Sequence, residues 1–185
     1  MSTLYVNNIE EKDSGSKITL GNTLKVDSIE PKTAGGVITF QPNRPMFQVG
    51  LSANQSIPNA TNTLVNFNDI QTASGGFNIG GYFDTSNYWF KPLVAGYYYF
   101  DAQLRLQNAA PDYVVVYINK NGTEIRANTG TESNAANAHV TAHTSTFTYM
   151  NGSTDYATVS AQHNTGSSQN LISDFGRTQF GGYML

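Results

Sequence analysis

Residues 46–185 are a succession of short segments with alternating apolar and polar residues, separated by turn-forming Gly, Asn, Asp and Pro. Alternation with a period of two is typical of a strand, and no stretch shows the 3.6-residue period of a helix. Many short, evenly spaced strands predict an all-β sandwich or jelly roll. The predicted strands are 47–52, 63–67, 88–90, 96–106, 113–119, 123–127, 140–150, 156–163 and 179–185.

Two Asn-Gly pairs indicate the turns that connect predicted strands. Asn151-Gly152 is the strongest two-residue hairpin signal, because both residues tolerate the left-handed backbone that such turns require. Asn121-Gly122, opened by Lys120, is a second turn. The sequence therefore predicts a hairpin at 151–152 and a turn at 121–122.

The two most regular strands, 96–106 and 113–118, carry large side chains on both faces. One face of each is apolar, as a core requires, with Tyr98, Phe100, Ala102, Leu104 and Leu106 in the first strand and Val114, Val116 and Ile118 in the second. A sandwich sheet with its second face in water is expected to be polar there. The second faces here predict an interface between chains, because tyrosine is favoured at interfaces, although solvent-facing tyrosines are also ordinary in sheets. The predicted interface residues of the head are Tyr97, Tyr99, Tyr113, Val115 and Tyr117.

The first forty residues contain the same motif twice. Residues 4–20 and 24–40 are identical at eight of seventeen positions, and each copy predicts a strand, a turn and a strand. Repeats of this size normally need at least three stacked copies to form a core, and this chain has two. We therefore expect three chains to form a trimeric β stem together. Its predicted core residues are Val6, Ile9, Ile18, Leu20, Val26, Ile29, Ile38 and Phe40.

A proline-rich segment divides the chain. Residues 41–45 read Gln-Pro-Asn-Arg-Pro, and two prolines within four residues favour an extended linker over a continuous ladder. The predicted organisation is a stem at 1–40, a linker at 41–45 and a head domain at 46–185.

Composition and charge disfavour several classes of partner. The net charge is −3 and there is no Lys/Arg cluster, whereas a nucleic-acid binder needs a basic face. No apolar run approaches the roughly 18 residues of a membrane-spanning helix, so no membrane insertion is expected. The chain has no cysteine, and its start lacks the basic and apolar regions of a signal peptide. We expect synthesis in a cytoplasm and exit by assembly into a particle or by lysis.

Catalytic and cofactor motifs are weak. His139 and His143 are four residues apart in a predicted strand, roughly 13 Å at strand rise, too far for one strand to place both on a zinc ion. The aspartates are scattered and form no calcium-loop motif. The sequence therefore predicts no enzyme and no cofactor. A spatial pair of carboxylates, as in a glycosidase, stays open, because sequence spacing does not test it.

Three polar, nearly uncharged loops are candidates for recognition, at 52–63, 128–138 and 164–170. Neutral hydrogen-bonding groups on loops held by a rigid scaffold suit carbohydrate hydroxyls, although such loops are also ordinary solvated connections. The candidate receptor-facing residues are Asn54, Asn59, Asn134, Asn137 and Asn164.

A spaced series of aromatic residues and turn motifs runs along the head. Its members are Asn78, Phe83-Asp84, Phe90, Gly96-x-Tyr98-x-Phe100, the Lys120-Asn121-Gly122 turn, Asp155-Tyr156-x-x-Val159 and the ending Phe180-x-Gly182-Tyr183-Met184-Leu185. This series resembles the globular head of complement component 1q and its tumour-necrosis-factor-like relatives. Two positions depart from the pattern, since Ala102 and Thr72 stand where that family has aromatic residues, and Phe67 lies near Thr72. The resemblance covers roughly 46–185. It implies a ten-stranded jelly roll that assembles as a homotrimer, with calcium as a minor possibility because some members bind it near the trimer apex.

The N-terminal repeat resembles the shaft or base segments of bacteriophage fibre proteins. Together the two resemblances imply a structural virion protein, a homotrimeric tail fibre or spike. Its stem would attach to other virion proteins, and its head would bind a glycan or protein on the host surface. Two alternatives are a capsid decoration or head fibre protein without a receptor role, and a fibre enzyme that degrades surface glycans.

Overall fold

The computed structural model describes residues 44–70, 72–107, 113–131 and 139–185. The predicted stem and most of the linker lie outside these ranges, and their assignment stays a prediction. Within the described ranges the chain forms one short 3-10 helix, Thr72–Ser74, and thirteen strands. The strands are β1 (Met46–Gly50), β2 (Gln55–Ile57), β3 (Thr63–Leu64), β4 (Phe77–Ile79), β5 (Phe83–Asp84), β6 (Trp89–Phe90), β7 (Ala95–Leu106), β8 (Tyr113–Lys120), β9 (Thr123–Thr131), β10 (Val140–Asn151), β11 (Ala157–His163), β12 (Gln169–Leu171) and β13 (Gln179–Met184).

The strands form two antiparallel sheets. Sheet A has the order β2-β12-β7-β13-β1-β4, and β10 pairs with β7 along its whole length on the other side. Sheet B has the order β5-β6-β11-β8-β9, and β3 pairs with β11. The predicted all-β sandwich is confirmed. The structure has thirteen strands in the described ranges where the resemblance implied ten. The difference arises mainly because three of them, β3, β5 and β6, have only two residues.

The core lies between the sheets and is formed by the faces that the sequence predicted to be apolar. Tyr98, Phe100 and Leu104 of β7 and Val116 and Ile118 of β8 are fully buried. The outward residues of β7, and those of β8 from Tyr113 to Tyr117, are at least partly exposed. The predicted division of β7 and β8 into inner and outer faces is therefore confirmed.

Aromatic rings fill the centre of the core. Phe47 stacks on Phe90 and Phe83 with ring centroids 4.4 and 5.1 Å apart, and meets Phe180 edge-on at 4.8 Å. Phe47 and Phe180 belong to sheet A, whereas Phe83 and Phe90 belong to sheet B, so the rings join the two layers. Stacked and edge-on pairs of this kind add about 0.5–1.5 kcal/mol each beyond the area they bury.

The Asn121-Gly122 turn is confirmed as a two-residue hairpin. Lys120 pairs with Thr123, and the two residues between them have φ of 53° and 78°. Positive φ at both central positions is the type I′ arrangement, which Asn and Gly tolerate best. This hairpin joins β8 to β9 at one edge of sheet B.

The predicted hairpin at Asn151-Gly152 is wrong. The strand before it, β10, pairs in sheet A, and the strand after it, β11, pairs in sheet B. The Asn151 side chain instead folds the connection, since its Oδ1 accepts from the backbone N–H groups of Ser153, Thr154 and Asp155 at 2.9–3.0 Å. The chain thus crosses from sheet A to sheet B at this point. The Asn-Gly pair lies in the crossover loop, and the local sequence pattern does not distinguish such a loop from a hairpin.

Four strands were not predicted from the sequence: β2, β4, β5 and β12. Each has two or three residues, too few for alternation to appear. They form by pairing with other strands: β4 with β1, β12 with β7 and β2, and β5 with β6. Their existence therefore depends on tertiary pairing.

Candidate functional site: the outer faces of the two sheets

The outer face of sheet A carries a cluster of exposed aromatic side chains. Tyr97 and Tyr99 point away from the core on β7. Register places Tyr149 opposite Tyr97 and places Phe147 and Tyr183 on either side of Tyr99. We call these five residues, Tyr97, Tyr99, Phe147, Tyr149 and Tyr183, the aromatic face.

The rings of the aromatic face pack against one another in pairs. Tyr97 and Tyr149 lie 5.5 Å apart between centroids, while Tyr99 lies 5.1 Å from Phe147 and 5.4 Å from Tyr183. Cross-strand aromatic pairs at these distances stabilise one another. The cluster is consequently an ordered surface that spans β10, β7 and β13.

The aromatic face is widely open to solvent in the single chain. Tyr97 and Phe147 are each 63% exposed, and Tyr149 is 48% exposed. The C-terminal Leu185, 53% exposed, adjoins the face because its N–H donates to the carbonyl of Tyr97. Contiguous apolar surface of this kind is typical of an interaction site.

Three residues of the aromatic face, Phe147, Tyr149 and Tyr183, were not identified from the sequence. The signal existed for β10, because the alternation of residues 140–150 already puts Phe147 and Tyr149 on one side. Nothing local indicates that this side meets Tyr97 and Tyr99. That relationship requires the pairing of β10 with β7, which are separated by β8 and β9 in the chain.

A shallow cavity of about 210 Å³ interrupts the outer face of sheet A beside Tyr99 and Tyr183. It exists because Gly181 occupies an outward position and has no side chain to fill the space. Gln48 donates to Gln179 over 2.6 Å at its rim. The outer face of sheet A is therefore not flat, and the cavity is a recess that a side chain of a binding partner can fill.

The other end of the same face is polar. Nε2 of His143 lies 2.6 Å from Oδ2 of Asp101, and the His143 side chain is half exposed. Next to it, Gln103 donates to the backbone carbonyl of Arg177 over 3.1 Å. The outer face of sheet A thus has an aromatic half and a hydrogen-bonding half.

Tyr113, Val115 and Tyr117 do not lie beside Tyr97 and Tyr99, and their predicted place at a trimer interface stays a prediction. They lie on the outer face of sheet B, because β8 belongs to that sheet and β7 to sheet A. The two outer faces point in opposite directions with the core between them. Alternation shows which residues share a face within one strand, and it does not show which sheet the strand enters.

The outward residues of β8 on sheet B are less exposed than most of the aromatic face. Tyr113, Val115 and Tyr117 are half-buried, and the Tyr117 hydroxyl donates to Oε1 of Gln162 over 3.0 Å. Burial raises the pKa of Tyr117, and the nearby Glu124 carboxylate and Tyr113 raise it further. The tyrosine is therefore held as a neutral donor.

The candidate receptor-facing asparagines have different environments. Asn54 and Asn59 are exposed, and each uses its Oδ1 to accept a backbone N–H, from Ser173 at 2.9 Å and from Gly166 at 2.8 Å respectively. Oδ1 of Asn164 is buried and has no hydrogen-bond partner among the described residues. The remaining two, Asn134 and Asn137, lie outside the described ranges.

Neither a metal cluster nor a spanning helix is found in the described part of the chain. No group of three or more His, Asp or Glu side chains there is arranged to hold a metal ion. Among the same residues, no helix has the length and apolar character needed to cross a membrane.

Comparison with known proteins identifies the fold. No protein-family model matches the chain, and no curated protein sequence matches it significantly. Among solved structures, murine APRIL at pH 5.0 matches with a TM-score of 0.55 at 13% identity over 77% of this chain and 99% of that one. The globular domain of zebrafish complement 1qA matches with a TM-score of 0.50 at 14% identity over 76% and 97%. Eiger TNF from S. frugiperda matches with 0.51 at 9% over 77% and 91%. The described domain is therefore a complement-1q/TNF-like jelly roll, as the resemblance implied.

Proposed function

We propose that this chain is a non-enzymatic structural protein of a bacteriophage virion, a homotrimeric fibre or spike whose head contacts the host cell surface. The observation that carries the proposal is the aromatic face. It is an ordered, exposed apolar surface on a domain whose fold typically forms homotrimers. We assign self-association to this face and recognition to surfaces outside it.

The physical argument for self-association starts from exposure. Five large rings and Leu185 leave water when a second copy covers sheet A, and burying apolar surface stabilises a complex by roughly 25 cal/mol per Å² before the cost of association. Tyrosine also brings a hydroxyl that finds partners at an interface. The polar half of the same face, with Asp101 and His143, supplies the hydrogen-bonding rim that interfaces commonly have.

The phage assignment is supported by the sequence of the stem. The doubled motif at 4–40 is a unit that needs further copies, and a trimer supplies three chains that carry it. In this proposal the stem holds the particle through other virion proteins, and the protein's location is the virion. The scarcity of catalytic motifs in the sequence favours binding over glycan cleavage.

The assembly is tested by light scattering on the purified full chain after size-exclusion chromatography. The expected mass is three times the 20.1 kDa of one chain. A monomer across the micromolar range would overturn the proposed assembly.

The location is tested by antibody labelling of phage particles and electron microscopy. Label on the tail or its base supports the fibre or spike. Label on the capsid shell supports the decoration alternative, and unlabelled particles contradict a virion protein altogether.

A further inference from the structure

A polar groove runs between the β1–β2 connection and the segment that follows β3. Its volume is about 320 Å³, and its lining comes from residues 51–56 together with Asn66 and Asn68. It shares no lining residue with the aromatic face or with the cavity beside it. The self-association proposed above therefore uses none of its residues.

The amide side chains of the groove are held by the backbone. The backbone N–H of Ser52 donates to Oδ1 of Asn68 over 2.9 Å, and that of Ser173 donates to Oδ1 of Asn54 over 2.9 Å. Since a backbone N–H only donates, the amide atom that faces it is the oxygen. The orientation of both amides is thus determined by the fold.

This arrangement leaves the two amino groups as oriented donors. Nδ2 of Asn54 and Nδ2 of Asn68 have no hydrogen-bond partner among the described residues, and both side chains are exposed. Gln55 is satisfied at both ends, because its Nε2 donates to the carbonyl of Leu64 and its Oε1 accepts from Asn66, each over 2.7 Å. The Gln55 side chain is therefore held in place as part of the groove lining, while the amino groups of Asn54 and Asn68 are available to a ligand.

The lining contains no charged residue. Its polar members are Ser52, Asn54, Gln55, Ser56, Asn66 and Asn68, and its apolar members are Leu51 and Ala53. A charged ligand would lose hydration in the groove without meeting an opposite charge. A neutral polyol suits it, since hydroxyl oxygens accept from fixed amide N–H groups and sugar C–H groups contact the exposed Ala53.

We propose that this groove binds a neutral saccharide unit of a host-surface glycan, with Nδ2 of Asn54 and Nδ2 of Asn68 as its principal donors. The inference rests on the proposed function, because it specifies the class of surface molecule that the head recognises. It also narrows the set of candidate receptor-facing residues. Asn54 lines the groove, whereas Asn59 lies outside it, in the connection between β2 and β3.

The test is binding of fluorescently labelled full chain to immobilised oligosaccharides. The neutral set contains tetramers of α-1,4-glucose, mannose, galactose and N-acetylglucosamine, and the acidic set contains sialylated and sulfated oligosaccharides. We expect the chain to bind at least one neutral oligosaccharide. We expect no binding that depends on an acidic group of the sugar. Failure to bind any neutral oligosaccharide, or binding to acidic ones only, would overturn the proposal.

Matched variants assign the binding to the groove. Asn54→Asp and Asn68→Asp keep the oxygen that holds the backbone and replace the donating amino group by an oxygen. Each is expected to weaken binding about tenfold, the effect of losing one hydrogen bond of roughly 1.4 kcal/mol. Asn59→Asp is the control, because its Oδ1 also holds a backbone N–H but its side chain is not in the groove. Equal affinity of all three variants and the parent would refute the assignment.

The failure of this inference is distinguishable from failure of the proposed function. Thermal unfolding and light scattering show whether each variant keeps its fold and its assembly. If the parent is a trimer on phage particles and the groove variants bind sugars unchanged, the groove assignment alone is wrong. If the parent is monomeric and absent from particles yet binds a neutral sugar through Asn54, the groove stands without the virion role.

Discussion

Nδ2 of Asn121 donates to Oδ1 of Asp155 over 2.7 Å, and this bond ties the β8–β9 hairpin to the crossover between the two sheets. The second carboxylate oxygen of Asp155 accepts from the backbone N–H of Asn151 at 2.9 Å and from Nζ of Lys120 at 2.9 Å. Asp155 is buried, so these partners replace the water it lacks. One carboxylate thus holds together segments that the chain places about thirty residues apart.

We predict that Asp155→Asn destabilises the head by about 2 kcal/mol at neutral pH, since an amide has one acceptor where the carboxylate has two and places an N–H against a donor. Denaturant unfolding of the full chain measures the change. Asp174→Asn is the control, because Asp174 and its partner Arg177 are both about half exposed and such pairs contribute little. Equal losses in the two variants would contradict the structural role of Asp155.

The same carboxylate makes stability depend on pH. The hydrogen bond from Asn121 is the main cause that lowers the pKa of Asp155 below its ordinary value of 3.8, and Lys120 adds to it, while burial opposes them. Because the folded state then binds fewer protons than the unfolded state, the stabilisation is present above about pH 4 and is lost as the pH falls below it. We expect the difference between the parent and Asp155→Asn to shrink between pH 5 and pH 2. A constant difference would show that the charge of Asp155 is irrelevant.

We predict that Tyr99→Asp abolishes assembly, because it places a charge at the centre of the aromatic face, between Phe147 and Tyr183. Light scattering measures the result. Tyr117→Asp is the matched control, since it alters a tyrosine on the outer face of sheet B and is expected to leave the assembly intact. If Tyr117→Asp dissociates the assembly and Tyr99→Asp does not, the interface lies on the opposite sheet.

Phe100→Ala is expected to destabilise the folded chain by about 3–5 kcal/mol, the cost of truncating a large aromatic in a packed core. Phe100 is fully buried, and its ring lies 5.8 Å from Phe90 and 5.9 Å from Phe180. Leu93→Ala is the comparison, because Leu93 is 67% exposed and its truncation should change stability by no more than about 0.5 kcal/mol. Chemical denaturation distinguishes them, and similar losses would contradict the core assignment.

Two glycines with similar backbone angles provide a test of close packing. Gly152 and Gly166 have φ of 69° and 84°, so alanine is strained by about 1 kcal/mol at either position. A Cβ at Gly152 would lie 2.4 Å from the backbone nitrogen of Ala95, whereas a Cβ at Gly166 meets nothing within 4 Å. Gly152→Ala is therefore expected to lower the melting temperature clearly more than Gly166→Ala. Equal shifts would mean that the crossover loop relaxes away from Ala95.

Much of the fold follows from local patterns in particular strands. The alternation of β7 and β8 correctly separated buried Tyr98 and Val116 from outward Tyr97 and Tyr117. Asn121-Gly122 was correctly predicted to be a turn, because the requirement of such a turn for positive φ is local. Asn151-Gly152 has the same local chemistry and a different outcome, since Asp155, Asn121 and Lys120 anchor the following segment to the other sheet.

The sequence by itself determined that the head is an all-β sandwich and which side of each long strand is apolar, because side-chain alternation along a strand is a local property. Only the tertiary structure decided that Tyr97 and Tyr99 join Phe147, Tyr149 and Tyr183, while Tyr113, Val115 and Tyr117 lie on the other sheet. It also decided that Asn54 and Asn68 line one groove with their amide oxygens held, since backbone donors from other segments orient both amides. Faces within a strand depend on neighbours in the chain, whereas sheet membership, register and amide orientation depend on hydrogen bonds between segments far apart in it.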